Sequence, residues 1–524
     1  MIDIETDERT GELLAIGLAW HTLAEDVEFR QFATWRQALV FIFSNVQLTP
    51  SLAKIWAHNG GGFDYLHMIE YLMLDKSYQC RIASKQGKII FMEVTHRGVS
   101  VTFCDSYRLM PSSLAVLCEQ LLPENERKLH IEIPTYELYE NDRPAFDRYL
   151  ERDCRSLIQL LVMFQAAIRE QFQYDGLQPT AGSLAMRIFE QAYFTDGFDI
   201  PIATEFISVS RAAYTGGRVE VFRYGKFDVR IYDVNSMYPA VMATELFPVG
   251  NIVESTELTD CGIYKCTYDQ KTGRYPYMPE RSGESWLTAP EVRLLRELGR
   301  CDIIAGFSAG RCGRIFQRFA TDCYALRGRG GIWKIVGKSL GNNLYGKFGQ
   351  KSEIENIIFV GDGEIPIGSI PILEDGSIVA VKEFKQCRHE FPIIAAHVTA
   401  YARIKLWRLM ELAGEDLIYV DTDSIHTTGE LPTGDGLGEL KLEYQGEATY
   451  GGKKLYALEN KIRVKGVKVG GKMGMPLKFM DIDKLSNGDI YIDCEYESFP
   501  TLREIIGGHK AAKTLTRRRK IRRT

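Results

Sequence analysis

The chain has 524 residues, 45% hydrophobic and 25% charged, proportions that exclude a disordered, collagen-like or fibrous protein and leave room for several domains. No apolar run reaches the length of a membrane span, and acids from Asp3 onward lead us to expect no secretory signal. Net charge is −5, so the chain as a whole does not advertise a polyanion partner.

In chain order, residues 1–175 read as a mixed α/β domain. Within them "KIIFMEVTHRGVSVTFCDS" alternates apolar and polar residues around Arg97-Gly98, the pattern of a β-hairpin. Apolar residues at helical spacing from Ala145 to Phe172 predict a long helix. Turn-forming residues at 174–183 mark a boundary. A strand is expected at 226–232, then a helix from near Ser236 with Pro239 in its first turn. Residues 245–325 carry many turn signals and read as an insertion. A strong helix is expected from about Ile332 to Tyr345. Residues 351–391 read as β-rich, with a hairpin turn at Asp375-Gly376. From about Gly470 the chain reads as a small separate unit. Its end, Gly508 to Thr524, holds eight Lys or Arg (Lys510, Lys513, Arg517, Arg518, Arg519, Lys520, Arg522, Arg523) and no acid, which suits either bound phosphates or a solvated terminus. The eleven cysteines are irregularly spaced, as in a reduced intracellular protein. Five of them (Cys261, Cys266, Cys301, Cys312, Cys323) share one region without a CxxC pair, so no zinc site is expected there.

The chemistry begins with "YVDTDSIH". The apolar run Leu417-Ile418-Tyr419-Val420 leads straight into Asp421 and Asp423, and buried carboxylates call for a cation. "RIYDVNSMYPAV" puts Asp233 at the end of another strand. Two such strands side by side would aim Asp233 and Asp423 at one point, where they could hold two divalent ions for an in-line phosphoryl displacement. Hard oxygen ligands favour Mg²⁺ over zinc, with Mn²⁺ as a substitute. In "WKIVGKSLGNNLYGKFG", Lys334, Lys338, Asn342 and Tyr345 fall on one helical face, within about 80° of one another. Two ammonium groups, an amide and a phenol suit a triphosphate and a base.

A second carboxylate set stands at the front. Asp3 and Glu5 share one face of a strand in "DIETD". "HNGGGFDYL" offers Asn59, Phe63 and Asp64, and "YLERD" offers Tyr149 and Asp153 one helical turn apart. Four carboxylates from three segments could make a two-metal hydrolytic site, with Tyr149 orienting the attacking water.

"DVNSMYP", "KSLGNNLYG" and "YVDTDS", in that order, resemble the three polymerase motifs of family B DNA polymerases. The front segments resemble the motifs of a proofreading 3′→5′ exonuclease of the RNase H-like fold. The resemblance implies an α/β and α+β multidomain protein: an exonuclease domain at 1–175, a palm at 176–244 and 392–468, fingers at 326–350, and a thumb with basic tail at 469–524. It implies deoxynucleotide addition to a primer 3′-OH, with Asp233, Asp423 and the Val234 carbonyl on two metal ions and Asp421 as the supporting acid. Tyr238 would exclude a 2′-hydroxyl. Lys338 would bind phosphates with help from Lys334, Asn342 and Arg327, and Tyr345 would pack near the base. In the exonuclease, Asp3, Glu5, Asp64 and Asp153 would hold metal and Thr6, Asn59, Phe63, Ser106, Tyr107 and Lys128 would hold the frayed 3′ end.

Further likeness is to the protein-primed branch of phages and linear plasmids. "YTGGR" (Tyr214, Gly216, Gly217), Gly346, "HVTAYAR" (Thr399, Arg403), "KKLYAL" (Lys454, Tyr456) and Lys465 resemble its DNA contacts. Residues 245–325 and 351–391 stand where that branch carries two insertions, the first meeting a terminal protein, the second a hairpin enclosing DNA for strand displacement. The partners implied are primer-template DNA, deoxynucleotides and a terminal protein, with no membrane, for a monomer in the host cytosol. Two departures are Asn343 where Ser is usual and Met237 where Leu is usual. Only Met1 and Ile2 precede Asp3, which leads us to expect a clipped first strand and a weakened exonuclease. Alternatives are a family B polymerase extending ordinary primers and an inactive DNA-binding subunit, the latter disfavoured because every carboxylate is present. A reverse transcriptase is disfavoured because its paired aspartates are adjacent, whereas these flank Thr422.

Overall fold

The computed structural model describes residues 1–7, 9–21, 26–46, 53–85, 87–131, 133, 135–194, 196–200, 204–351, 353–360, 364–373, 376–384, 389–459, 461–464, 481, 482, 484, 491–511 and 513–522. The front domain opens with the antiparallel strands β1 (Ile2–Thr6), β2 (Leu13–His21) and β3 (Val27–Phe32), followed by α1 (Trp35–Val46). Ile2 and Ile4 point into the core, so Asp3 and Glu5 share the opposite face. Strand β4 (Ala53–Ala57) runs through a glycine turn into α2 (Asp64–Leu74). Strands β5 (Tyr78–Lys85), β6 (Lys88–His96) and β7 (Val99–Asp105) follow, and β7 lies parallel to β4. The β6–β7 turn has Arg97 and Gly98 at φ +50° and +79°, the conformation a two-residue hairpin loop needs. Helices α3 (Leu114–Leu121), α4 (Thr135–Asn141) and α5 (Arg143–Phe172) complete the domain. Asp142 caps α5 by accepting from the Ala145 N–H at 3.0 Å, with Pro144 in its first turn.

The turn-rich stretch lies between α5 and α6 (Ala181–Ala192), whose first turn takes up residues 181–183 and is capped by Thr180, the hydroxyl accepting from the Ser183 N–H at 3.2 Å. Then come α7 (Thr204–Ala213), β8 (Val219–Val221), β9 (Gly225–Val234) and α8 (Met237–Thr244). The region expected as an insertion builds its own four-stranded sheet, order β10-β13-β11-β12, from β10 (Phe247–Glu254), β11 (Cys261–Gln270), β12 (Ser282–Thr288) and β13 (Gly299–Gly313). Helix α9 (Ala289–Leu298) packs on it, opened by a capping box between Thr288 and Glu291. The thiols of Cys261 and Cys312 touch, as do those of Cys266 and Cys301, so four of the region's five cysteines group two and two. Helices α10 (Gln317–Gly328) and α11 (Gly331–Phe348) form a hairpin beyond it.

The β-rich stretch consists of β14 (Glu353–Phe359), β15 (Ile370–Pro371) and β16 (Ile378–Phe384). The turn expected at Asp375-Gly376 begins outside the described residues, but β15 and β16 pair as its arms. Strand β14 also pairs antiparallel with β5 (Ile357 opposite Ile82), so the hairpin extends the front sheet to seven strands. Phe359 is buried against that domain's core, and we expect Phe359→Ala to cost about 3–5 kcal/mol, measurable as a lower midpoint in denaturant unfolding.

Helix α12 (Pro392–Ala413) returns to the centre, followed by β17 (Leu417–Asp421), β18 (Ser424–Thr427), β19 (Leu440–Gly452), β20 (Leu455–Leu458) and β21 (Lys461–Val464). With β8 and β9 these make the central seven-stranded sheet, order β21-β20-β19-β9-β18-β17-β8. The end of the chain carries β22 (Tyr491–Ser498), α13 (Leu502–Ile506) and β23 (Leu515–Arg522). It is not wholly separate, because Leu502, Ile505 and Ile506 are buried in the same core cluster as Leu66 and Ile69 of α2. Nor is the basic stretch a loose terminus: β23 pairs with β22, and Arg517 and Arg518 meet Glu504 and Glu495. No helix among the described residues is long and apolar enough to cross a membrane.

Candidate active sites

The central site forms where β9 and the β17–β18 turn end together. Ser424 lies opposite Asp233, and the Val234 N–H donates to the Asp423 carbonyl at 2.8 Å, which fixes the two aspartates on adjacent backbones. Burial raises the Asp233 carboxyl to about 7, with repulsion from Asp423 and Glu443 adding to it and Lys338 and Arg327 opposing it. Asp423 is raised for the same first reason, with Asp421 adding to it. A pair of carboxylates that repel each other in a half-dry cleft fits a cation. Asp421 is differently engaged: Lys454 Nζ donates to both of its oxygens, at 2.8 and 2.9 Å, and Tyr419 Oη at 3.3 Å. Thr422 between the aspartates has φ +64°, a strained conformation for a β-branched residue.

Over these carboxylates lies the α11 stripe. Lys334 and Lys338 are exposed, Asn342 is half-buried, and Tyr345 packs on Tyr238 with ring centroids 4.4 Å apart and the planes tilted by 35°. Tyr456 stacks beneath, 5.7 Å from Tyr450, and Tyr450 Oη and His426 Nδ1 lie 2.6 Å apart. Tyr214 packs where a Cβ on Gly349 would stand, at the base of α11. Gly346 has open space beside it, and so has Gly216. Thr399 is buried and bonds back to the carbonyls of Ala395 and Ala396. Arg403 is also engaged inside the protein, with Glu291 and the carbonyls of Thr215 and Gly216. Lys465 lies outside the described residues.

The front site gathers Asp3, Glu5 and Asp153, whose nearest carboxylate oxygens all lie within 4.8 Å of one another. The Ile4 N–H donates to Asp64 Oδ1 at 3.2 Å, placing the fourth carboxylate against the same strand. Strand β1 pairs with β2 from Ile2 to Thr6, and the Met1 amine bonds the Ala19 carbonyl. Burial raises Asp3 well above the usual range, with Asp64, Asp153 and Glu5 adding repulsion, and it raises Asp64 to about 7. Asp153 Oδ1 is buried with no hydrogen-bond partner, while Lys128 bonds Asp153 Oδ2 and donates to Tyr149 Oη at 2.9 Å. Burial works to lower the Lys128 pKa, but Asp153, Tyr149 and Asp3 reverse that and raise it. The orphaned oxygen and the crowded carboxylates fit a divalent cation.

Around the front site, Thr6 ends β1 and Asn59 (φ +62°) donates its N–H to Asp105. Phe63 packs edge-on against His67 and against Phe499, from the far end of the chain. Tyr107 is exposed; the Ser106 hydroxyl donates to the Ala57 carbonyl at 3.0 Å and is internally engaged. Asp105, the buried acid inside "FCDSYRL" and not among the residues the motifs single out, accepts from the Asn59 and Tyr107 N–H groups. Glu443, which adds to the repulsion on Asp233, is also outside the motifs; its signal is the alternation of "LKLE" at the start of β19.

The family model for DNA polymerase type B, organellar and viral, matches residues 44–134 and 143–381. A probable DNA polymerase of Podospora anserina is 27% identical over 66% of this chain and 36% of its own length. The DNA-directed DNA polymerase of Enterobacteria phage PRD1 is 27% identical over 77% of this chain and 73% of its own. The chain thus spans little more than a third of the Podospora relative. Among solved structures, phi29 DNA polymerase complexed with primer-template DNA and incoming nucleotide superposes with a TM-score of 0.75 at 17% identity, covering 100% of this chain and 99% of that one. That likeness establishes a shared multidomain fold of mixed helix and sheet.

Proposed function

This chain belongs to the organellar and viral type B DNA polymerases, and from that footing we propose that it adds deoxynucleotides to a primer 3′ end and trims mispaired ends in its front domain. The observation that carries the reading is the meeting of Asp233 and Asp423 on adjacent backbones beneath the Lys338 face of α11. In this reading 326–350 are the fingers, 176–244 with 392–468 the palm, and 469–524 the thumb. Two Mg²⁺ ions held by Asp233, Asp423 and the Val234 carbonyl would supply charge neutralisation for the attacking and leaving oxygens. Lys338 and Lys334 neutralise the triphosphate, and Lys454 holds Asp421 while its ammonium faces the primer end. Tyr238, packed against Tyr345, closes the space beside the sugar. Tyr238→Val is expected to raise ribonucleotide incorporation about tenfold or more, read from single-nucleotide extension with rATP against dATP.

In the front domain Asp3, Glu5, Asp64 and Asp153 would hold the hydrolytic metals, Tyr149 would orient water, and Phe63 would stack the frayed base. The region 245–325 builds its own sheet and helix α9 and shares its core with Ile404 and Trp407 of α12, and we assign it to a terminal protein whose hydroxyl primes synthesis; the hairpin at 351–391 would enclose DNA and support strand displacement. The test is a 5′-labelled primer on a longer template with Mg²⁺. Extension with deoxynucleotides and shortening without them support both sites, and a primer left unchanged under both conditions overturns the reading. Nucleotide transfer to a separately supplied terminal protein decides the priming mode.

A further inference from the structure

The five residues Tyr214–Arg218 join α7 to β8 without regular secondary structure, yet the segment is held on two sides. On one side is Arg403 of α12. One guanidinium nitrogen donates to the carbonyls of Thr215 and Gly216, the latter at 3.0 Å, and the other donates to Glu291 Oε1 at 2.6 Å. The Arg403 side chain is 10% exposed and that of Glu291 3%, so this is a buried ion pair. Glu291 belongs to α9, in the 245–325 region, and is fixed there. It accepts from Tyr277 Oη at 2.9 Å and, through Oε2, from the Thr288 N–H and hydroxyl at 2.9 and 2.8 Å. From the segment itself, Arg218 donates to the carbonyls of Pro276 and Tyr277 in the same region, at 2.6 and 3.4 Å.

On the other side is the turn that carries the central carboxylates. The Thr422 N–H donates to the Arg218 carbonyl at 2.8 Å, and a Cβ on Gly217 would stand 2.7 Å from Thr422 Cγ2. Only glycine permits that approach. Thr422 sits at positive φ, a conformation that persists when surrounding contacts impose it. The two-residue loop between the paired Asp421 and Ser424 calls for that conformation, and the contacts packed against it run back through one glycine and two arginines to Glu291 and the 276–277 carbonyls.

We propose that the 245–325 region positions the metal-binding turn Asp421-Thr422-Asp423 through the Tyr214–Arg218 segment, with Arg403 and Arg218 as positioning residues. The inference rests on the polymerase reading above and extends it: a region assigned to partner binding also sets the geometry of the reaction. Removing the Glu291 charge leaves Arg403 buried without its counter-ion, and the guanidinium then re-orients and releases the carbonyls of Thr215 and Gly216. The turn relaxes, and Asp423 moves relative to Asp233.

The test uses the full chain with Glu291→Gln, close in shape to the native residue, Glu291→Ala, and Arg403→Lys. Single-nucleotide extension gives kcat and KM, fluorescence anisotropy without divalent metal gives primer-template affinity, and thermal melting reports folding. We expect kcat to fall about 10- to 100-fold in Glu291→Ala, the scale of a misplacement near 1 Å, with KM and DNA affinity changed less than about threefold. Arg403→Lys should be similarly impaired, because an ammonium cannot serve two carbonyls and a carboxylate in one plane. The double variant Glu291→Gln/Arg403→Lys should be no worse than the worse single one, since both break one chain of contacts. Unchanged kcat in all variants overturns the inference. So does a fall in kcat matched by equal losses of DNA affinity and melting temperature, which would mark a scaffold contact only. An unmutated chain that extends no primer overturns the polymerase reading and this inference with it, whereas an active parent with unaffected variants overturns this inference alone.

Discussion

Asp233→Asn is expected to reduce primer extension by on the order of a thousandfold or more while leaving single-strand shortening intact, measured as single-turnover rates on the same preparation. The expectation follows from where the charge sits. Asp233 is fixed on β9 beside Asp423, and its own ionisation is opposed by burial, by Asp423 and by Glu443. Such a carboxylate is retained for what it binds, because it costs the empty protein energy. The amide keeps the shape, removes the charge and exchanges one acceptor oxygen for an N–H donor. Asp421→Asn makes the contrast. Lys454 donates to both Asp421 oxygens, so on the proposed reading the amide would loosen the lysine and weaken primer placement without emptying the metal position. Its effect should be smaller, about 10- to 100-fold, and concentrated in primer-template affinity. Equal losses for Asp233→Asn and Asp421→Asn would show that the two acids share one role.

The two carboxylate sites were legible because their signals are local. An apolar run ending in an acid reads as a buried strand with a charged tip, and both Asp233 and Asp421 lie at the ends of such strands. The α11 stripe was legible because helical periodicity brings Lys334, Lys338, Asn342 and Tyr345 onto one face whatever packs behind it. What escaped depends on distant partners. Nothing within 353–359 says that β14 will add to β5, since any free sheet edge of matching register would serve. Arg403, one turn beyond Thr399, resembles part of a polar face, but the surroundings of α12 turn that face inward toward α9 and the Tyr214–Arg218 segment. That the basic end is a paired strand was not visible, because β22 and the acids Glu495 and Glu504 that meet Arg518 and Arg517 lie earlier in the chain. Phe499 reached Phe63 from the other end of the sequence for the same reason.

Asp64→Asn should abolish shortening of single-stranded DNA and, in the metal-free protein, raise the melting temperature at pH 8 but not at pH 4. The folded carboxyl is raised from 3.8 to about 7, by burial before anything else. Between those two values the folded state keeps a proton that the unfolded chain has lost. Stability is therefore lost as pH rises through that window, and above about 7 the whole penalty is present. Asp3 is raised as well, by burial and by Asp64, and widens the window in the same direction. The native protein without metal should melt lower at pH 8 than at pH 5, and the asparagine variant should flatten that dependence. At about 2–4 °C per kcal/mol for a domain of this size, relief of even part of the penalty is a shift of several degrees. Added Mg²⁺ should raise the melting temperature of the native chain more at pH 8 than at pH 5, because a cation is held only by the ionised form. It should do much less for Asp64→Asn. A native melting temperature that climbs from pH 5 to pH 8 without metal would mean that these acids ionise freely in the fold, and that the front cluster is a solvated acidic surface.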